Sequence, residues 1–471
     1  MEIQARSDPW HRHLGRAVLI LAFLSSAVGL SGRMPRVLII RRVAVFDSRR
    51  GEMLPGRTVV IRGDVISEIG LPESLVRAPR GKVIDGRGKY LIPGLIDAHV
   101  HLVHVLDFAH VTGDEVLPLF LANGVTSVRD TGDSMVAEKL VARYAEAHPE
   151  ACPRVFLCSP LLDCDPPFHH DVGLPVTRLE AIPGLMDDFA SWGVVTLKIY
   201  VGIDRPIGRR IIEEGHRRGM VVAGHLGRYR AQDAVADGID SLEHIWSVFD
   251  FIFPPGDPAI DTSALERRAH ADLDTPAARD LIAAIRRHGT AVDPTLAVFR
   301  SLLLADLPEV RYDPDNSHVP ERLRDYWAKF LASQVSNGQF TAQNLTLREM
   351  EFQKYEDLTG ILYHSGVTLL AGTDSPEPFC PPGYALQREL QLLVESGLPP
   401  AAALQAATLQ NARILKMEAK LGSVEPGKLA DLLLLDADPL VNIGNTRRIS
   451  AIIKGGRLCN PAVLLERVPA R

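Results

Sequence analysis

The 471-residue chain has few cysteines, no C-x-x-C spacing and no long basic run. Its five cysteines, Cys152, Cys158, Cys164, Cys380 and Cys459, are too few and wrongly spaced for a disulfide scaffold or a cysteine zinc site. Cys152, Cys158 and Cys164 lie near enough in sequence to leave one disulfide open. A net charge of −6 argues against nucleic acid as a partner. Internal repeats and low-complexity tracts are lacking too, which excludes solenoids and disordered tails as the main architecture. With 46% hydrophobic and 23% charged residues, the composition is that of a folded globular protein, long enough for a large domain plus an accessory one.

No apolar run is long enough for a comfortable membrane span. The longest candidate, Ala17–Leu30, follows Arg12, His13 and Arg16 and ends in small residues. That pattern suits a signal peptide over residues 1–31, with Ala27 and Gly29 fitting a cleavage site. It predicts export to the periplasm or beyond. An uncleaved anchor, or a start at Met34 and a cytoplasmic protein, are the alternatives. No stable membrane partner is expected beyond this segment.

From Val37 the chain reads as short strands: VLIIRRVAVFD, TVVIRGDVISEIG and GKVIDGRGKYLIPG. Similar strands return at the other end in KLADLLLLDADP and RRISAIIKGGRLC. Residues 32–92 and 416–471 are therefore expected to build one small β-sandwich from both chain ends, with residues 93–415 inserted between them. In that insert, LIDAHV, GVTSVRD, RVFLCSP, VVTLKIYV, MVVAGHLG, DSLEHIW, TAVDPTL and VTLLAGTDS are short, apolar and bounded by turn residues. Helical patterns separate them. Eight strands alternating with helices predict an α/β fold of the (β/α)₈ TIM-barrel class, with its site at the C-terminal strand ends. Two stretches, Phe251–Asp274 and roughly Arg300–Leu347, read as insertions on that same face.

Those strand ends carry metal-ligand residue types. The first holds His99 and His101 in LIPGLIDAHVHL, two positions apart and so on one face of a strand. The fourth carries Lys198 inside an apolar run, where an unpartnered ammonium is costly. The fifth, sixth and eighth end in His225, His244 and Asp374. Singly, each has an ordinary alternative: a core histidine, a salt-bridge lysine, an aspartate capping a helix. Together they put four imidazoles, a carboxylate and a lysine at one barrel mouth.

This ordered set, with the PGLIDAHVHL entry and the GTDSP ending, resembles the amidohydrolase superfamily nearly end to end. Within it the chain is similar to the imidazolonepropionase-like branch that contains amidases and Xaa-Pro dipeptidases. The resemblance implies two divalent metal ions, with Zn²⁺ suited to these ligands. His99, His101 and Asp374 would hold one ion and His225 and His244 the other. A CO₂-derived carbamate on Lys198 and a hydroxide would bridge them. Asp374 would be the catalytic proton carrier.

Substrate contacts are read from position alone. Tyr200 falls two residues after Lys198, on the same strand face. Arg228 and Tyr229 follow His225 in the next loop, where a phenol suits an oxyanion and an arginine a carboxylate. His169 and His170 are pocket-lining or merely exposed. The third-strand loop CSPLLDCDPPFHH departs from the Gly-Gly-His pattern associated with the dipeptidases. The expected activity is hydrolysis of an amide or peptide bond in a small molecule of dipeptide or N-acyl amino acid type. Cyclic amide hydrolysis, deamination, lactone hydrolysis and organophosphate ester hydrolysis are alternatives on the same scaffold. A noncatalytic binding protein is a further class, and homo-oligomerisation is left open.

Overall fold

Where β-branched and leucine-rich runs alternate with turn residues, the backbone extends, and the computed structural model shows strands in all of these runs but VTLLAGTDS. It describes residues 36–71, 81–253 and 265–468. The expected signal peptide, and the middle of the first insertion, lie outside the described residues.

The N-terminal strands are β1 (Val37–Asp47), β2 (Glu52–Arg62), β3 (Val65–Gly70), β4 (Lys82–Asp85) and β5 (Tyr90–Pro93). A parallel series follows: β6 (Leu95–Val100), β7 (Val125–Asp130), β8 (Arg154–Phe156), β9 (Cys158–Asp163), β10 (Gly173–Pro175), β11 (Thr196–Ile199), β12 (Val221–Gly224), β13 (Ser241–Glu243) and β14 (Ala291–Asp293). The chain closes with β15 (Leu432–Leu435), β16 (Ile449–Lys454) and β17 (Arg457–Cys459).

The two chain ends meet in one eight-stranded sheet, ordered β17-β16-β15-β5-β1-β2-β3 with β4 on β1. The join is β5 against β15, antiparallel, with Ile92 opposite Leu433. Leu38, Ile40, Val59, Ile61, Leu432 and Ile453 bury one face, as strand alternation requires. This sheet is tied to the parallel series by Asp431. Its carboxylate accepts hydrogen bonds from Lys454 Nζ (2.9 Å), Arg154 Nε (3.0 Å) and the Gly455 N–H (2.7 Å).

The parallel strands carry helices between them and form a TIM-barrel-like α/β arrangement. Some helices are capped by a side chain. Asp204 caps Arg205–Arg217 by accepting from the Ile207 N–H, and Ile207, Ile211 and Ile212 face inward. Regular pairing runs in two sheets, β6-β7-β8 and β10-β9-β11-β12-β13-β14. The expected third strand is split at Leu157 into β8, which pairs with β7, and β9, which pairs with β11. The expected eighth strand is not a regular ladder. Residues 368–375 instead bridge Val292 on one side and Val100 on the other. The left-handed backbone of Asp374 (φ 60°) breaks the extended run there, and Pro376 has no N–H to continue it. Asn411 steadies the same segment, donating to the carbonyls of Ile96 (2.7 Å) and Ala371 (2.8 Å).

The second insertion folds as helices, among them Leu296–Leu304, Glu321–Ser336 and Leu345–His364. The first of these follows β14 directly and presents Val298, Phe299 and Leu302 to the site.

Candidate metal centre

β6 is buried on both faces and His101, just past its end, is buried too, so His99 and His101 can satisfy their nitrogens only with other protein groups or a ligand. Both meet Asp374: His101 Nε2 lies 3.0 Å and His99 Nε2 3.4 Å from Asp374 Oδ1. The approach is built by the backbone, since the Thr373 and Asp374 N–H groups both donate to the His99 carbonyl. Thr373 Oγ1 also donates to Asp97 Oδ2 at 2.8 Å. Glycine is required just before: a Cβ on Gly372 would run into the Asp293 carboxylate and lie 2.5 Å from His99 Cβ.

His244 approaches from the end of β13, with Nδ1 3.8 Å from Asp374 Oδ2 and 2.8 Å from Thr295 Oγ1. His244, Thr295 and Asp374 all have positive φ (65°, 49° and 60°), a strained conformation for non-glycine residues that concentrates at functional sites. The His225 ring packs 4.6 Å from that of His244 and 5.0 Å from that of Tyr200. Lys198, on β11, is buried with Nζ 3.5 Å from His99 Nε2. Among the described residues it makes no ion pair.

Burial governs the electrostatics. It lowers His99 to about 4 and His225 to about 3, with Lys198 acting in the same direction. Burial also drives His244 well below the usual histidine value and lowers Lys198. Burial alone would raise the Asp374 carboxyl, but His244, His99 and His101 hold it well below the usual carboxylate range. The centre is therefore one carboxylate among neutral imidazoles and a destabilised ammonium. Neutral imidazole and carboxylate are the ligand forms a divalent ion takes, and His99, His244 and Asp374 offer ligand atoms within 4.8 Å of one another. The donor set fits a metal.

Sequence reasoning found this group but missed what holds it. Glu243 Oε2 is 2.8 Å from His99 Nδ1, and Arg129 NH2 lies 2.8 Å from both Glu243 oxygens. His104 is also in the site, with Nδ1 2.6 Å from Asp133 Oδ1 and its ring 4.5 Å from that of His101. The spacing H-x-H-x-x-H was its only signal. Glu377 lines the cavity and is raised to about 8 by burial and by Asp374.

A cavity of about 180 Å³ opens over the group, lined by polar Tyr200 and His169 and by apolar Trp246, Phe299 and Leu302. Tyr200 thus falls where its spacing from Lys198 places it, with its hydroxyl 3.0 Å from His169 Nε2. Arg228 and Tyr229 do not reach the cavity, contrary to expectation. The Arg228 N–H bonds to the Val201 carbonyl and turns the loop back. Arg228 is exposed, and Tyr229 is fully buried, donating its hydroxyl to Asp237 Oδ2 at 2.8 Å. The five cysteines are unpaired, so the disulfide left open for Cys152, Cys158 and Cys164 is not formed.

Comparison with known proteins bears on the fold and the family. Bottromycin amidohydrolase superposes with a TM-score of 0.69 at 21% identity, covering 93% of this chain and 91% of its own. A Xaa-Pro dipeptidase with methionine in its active site gives 0.65 at 21% identity, covering 90% and 99%. These likenesses show the fold. In sequence, the chain is similar to an adenine deaminase of Mesorhizobium japonicum, 24% identical over 91% of this chain. The chain spans 58% of that relative's length and 59% of that of an adenine deaminase from Rubrobacter xylanophilus. The profile of the amidohydrolase family matches residues 90–459, from β5 through every strand-end residue named above to β17. The chain belongs to the amidohydrolase family.

Proposed function

We propose that this protein is a metal-dependent hydrolase that cleaves an amide or peptide C–N bond in a small molecule of N-acyl amino acid or dipeptide type. Two divalent ions, Zn²⁺ by ligand type, would be held by His99, His101, His225, His244 and Asp374, with Lys198 carboxylated between them. The same reading takes the parallel strands as a closed (β/α)₈ barrel and the terminal sheet as its β-sandwich.

The observation that carries the proposal is the Lys198 amine. It is buried among imidazoles with no ion-pair partner among the described residues, and desolvation lowers its pKa toward a neutral, nucleophilic form. Carboxylation would turn this ill-placed cation into an anion with two ligand oxygens.

When bound, the ions would polarise the scissile carbonyl and lower the pKa of water. The protein's own groups would do the rest. Glu243, accepting at His99 Nδ1, leaves Nε2 as that ring's ligand atom. Asp374 carries a proton from the attacking water to the leaving nitrogen on a carboxylate oxygen. Burial raises Tyr200 above the usual phenol range, so it stays protonated and donates its O–H to the carbonyl oxygen.

A second reading, deamination, is favoured by the names of the curated relatives. One assay separates the two. Metal-loaded protein is offered N-acyl amino acids, dipeptides and adenine, and released amine and ammonia are measured. Amine release from the amides supports the proposal; ammonia from adenine with no amide turnover supports deamination.

A further inference from the structure

Trp246, Phe299 and Leu302 face two hollows. They line the cavity over the candidate metal centre and also a second, larger one of about 450 Å³. The inner cavity is smaller than the roughly 300–1,000 Å³ usual for small-molecule sites, while the outer one lies within that range. Phe299 is buried in the shared wall, whereas Trp246 and Leu302 are only partly covered. The outer cavity is lined further by Leu265, Leu303, Phe330 and Phe340.

Its charges are already committed. Arg348 makes a two-pronged contact with Asp306 at 2.7 and 2.8 Å and lies 4.6 Å over the Phe340 ring. Arg268 pairs with Asp250 at 2.8 Å and Glu351 at 3.3 Å, and lies 5.0 Å over the Trp246 ring. Carboxylates already neutralise both arginines, and Arg268 Nε, which has no hydrogen-bond partner among the described residues, is buried, so an anionic ligand meets no uncompensated positive charge. A cationic one would have to take Glu351 from Arg268. An uncharged apolar group displaces neither and gains the aromatic and aliphatic wall.

We infer that the substrate is an amide with a long uncharged arm, an alkyl chain or an aryl-alkyl group, which crosses the Trp246–Phe299–Leu302 wall and lodges in the outer cavity. This rests on the amide hydrolysis proposed above. It makes the outer cavity a specificity subsite, and short dipeptides with two charged ends poor substrates.

The test pairs catalysis with binding. Metal-loaded protein is assayed on p-nitroanilides of acetic, decanoic, 4-phenylbutanoic and sebacic acids, and on N-acetyl amides of methylamine, decylamine and 4-phenylbutylamine. In parallel, calorimetry measures binding of 4-phenylbutanol, which has no scissile bond. The long uncharged arm should raise kcat/KM by about tenfold or more in one of the two series, as burial of a few methylenes gives. The terminal carboxylate of the sebacic half-amide should cancel that gain. Leu303→Trp and Gln334→Trp, which fill the outer cavity from its wall and rim, should reduce the long-to-short ratio and weaken 4-phenylbutanol binding to a similar extent.

Equal kcat/KM for short and long arms, or preference for the charged terminus, would overturn the subsite and leave amide hydrolysis standing. If no amide is turned over, the proposed activity fails and calorimetry decides alone. Binding of 4-phenylbutanol that both tryptophan variants weaken supports the subsite. Absent binding, or binding indifferent to both variants, overturns it.

Discussion

The Nδ1 atom of His99 lies 2.8 Å from Oε2 of Glu243, and both side chains are fully buried. Arg129 grips the same carboxylate with NH2 and donates through Nε to the Ala98 carbonyl, next to His99 in the chain. Burial would raise the Glu243 carboxyl, but Arg129, His99 and Lys198 hold it well below its usual range. A carboxylate so placed fixes the ring's orientation and leaves Nε2 free to bind.

Glu243→Gln should therefore weaken metal binding without removing a ligand. Loss of such a partner lowers affinity by about 10–100-fold. Competition with a chelator of known affinity reads this directly. Unchanged affinity would mean that Glu243 serves only to neutralise Arg129.

Tyr200→Phe removes the phenol that lines the cavity beside His169 while keeping the ring that packs on His225. Loss of an oxyanion donor typically lowers kcat by about 10²–10³. The account predicts that fall with KM little changed. A rise in KM at constant kcat would assign Tyr200 to ground-state binding instead.

The Asp431 carboxylate binds Lys454 and Arg154 and is almost fully buried. Asp431→Asn leaves the Lys454 ammonium buried without its counter-charge. Breaking a buried pair in this way costs about 3–5 kcal/mol, and urea unfolding should show it as a lower midpoint. An unchanged midpoint would mean that the chain ends are not held to the parallel strands through this residue.

Glu389 supplies a pH test away from the centre. Burial raises its carboxyl to about 8, although it accepts from the Ala297 N–H at 2.7 Å. The native state keeps this proton up to pH about 8, whereas the unfolded chain releases it near pH 4.3. Between those values the native state binds more protons, so this group's contribution to stability falls as pH rises. The slope is at most about 1.4 kcal/mol per pH unit. Glu389→Gln keeps an acceptor for Ala297 and removes the titration. Relative to the parent protein, its Tm should be higher at pH 8 than at pH 5.5. A Tm difference independent of pH would show that Glu389 is ionised throughout.

The ligand set was legible because its members lie in or just after short apolar runs bounded by turn residues, and a barrel gathers the C-terminal ends of such runs. Glu243 was not, because a carboxylate beside a histidine has no sequence signature and its partner Arg129 is 114 residues away. Loop geometry was equally hidden. Arg228 and Tyr229 follow His225 closely, yet one backbone bond to Val201 turns them from the cavity. Tyr200 was legible because strand alternation continues past Lys198. The insertion after β14 could be seen, but which residues of Leu296–Leu304 face the metal ligands depends on helix packing.

The central claim is a two-metal centre bridged through a carboxylated Lys198. Its most direct test is elemental analysis of the parent protein and Lys198→Arg, both purified after metal-supplemented expression, with turnover of an amide substrate measured alongside. Arginine keeps the positive charge and cannot take up CO₂. The account predicts about two metal ions per chain in the parent, as a two-metal hydrolase requires, with loss of metal and of most turnover in Lys198→Arg. Full metal content with near-normal turnover in Lys198→Arg would contradict it.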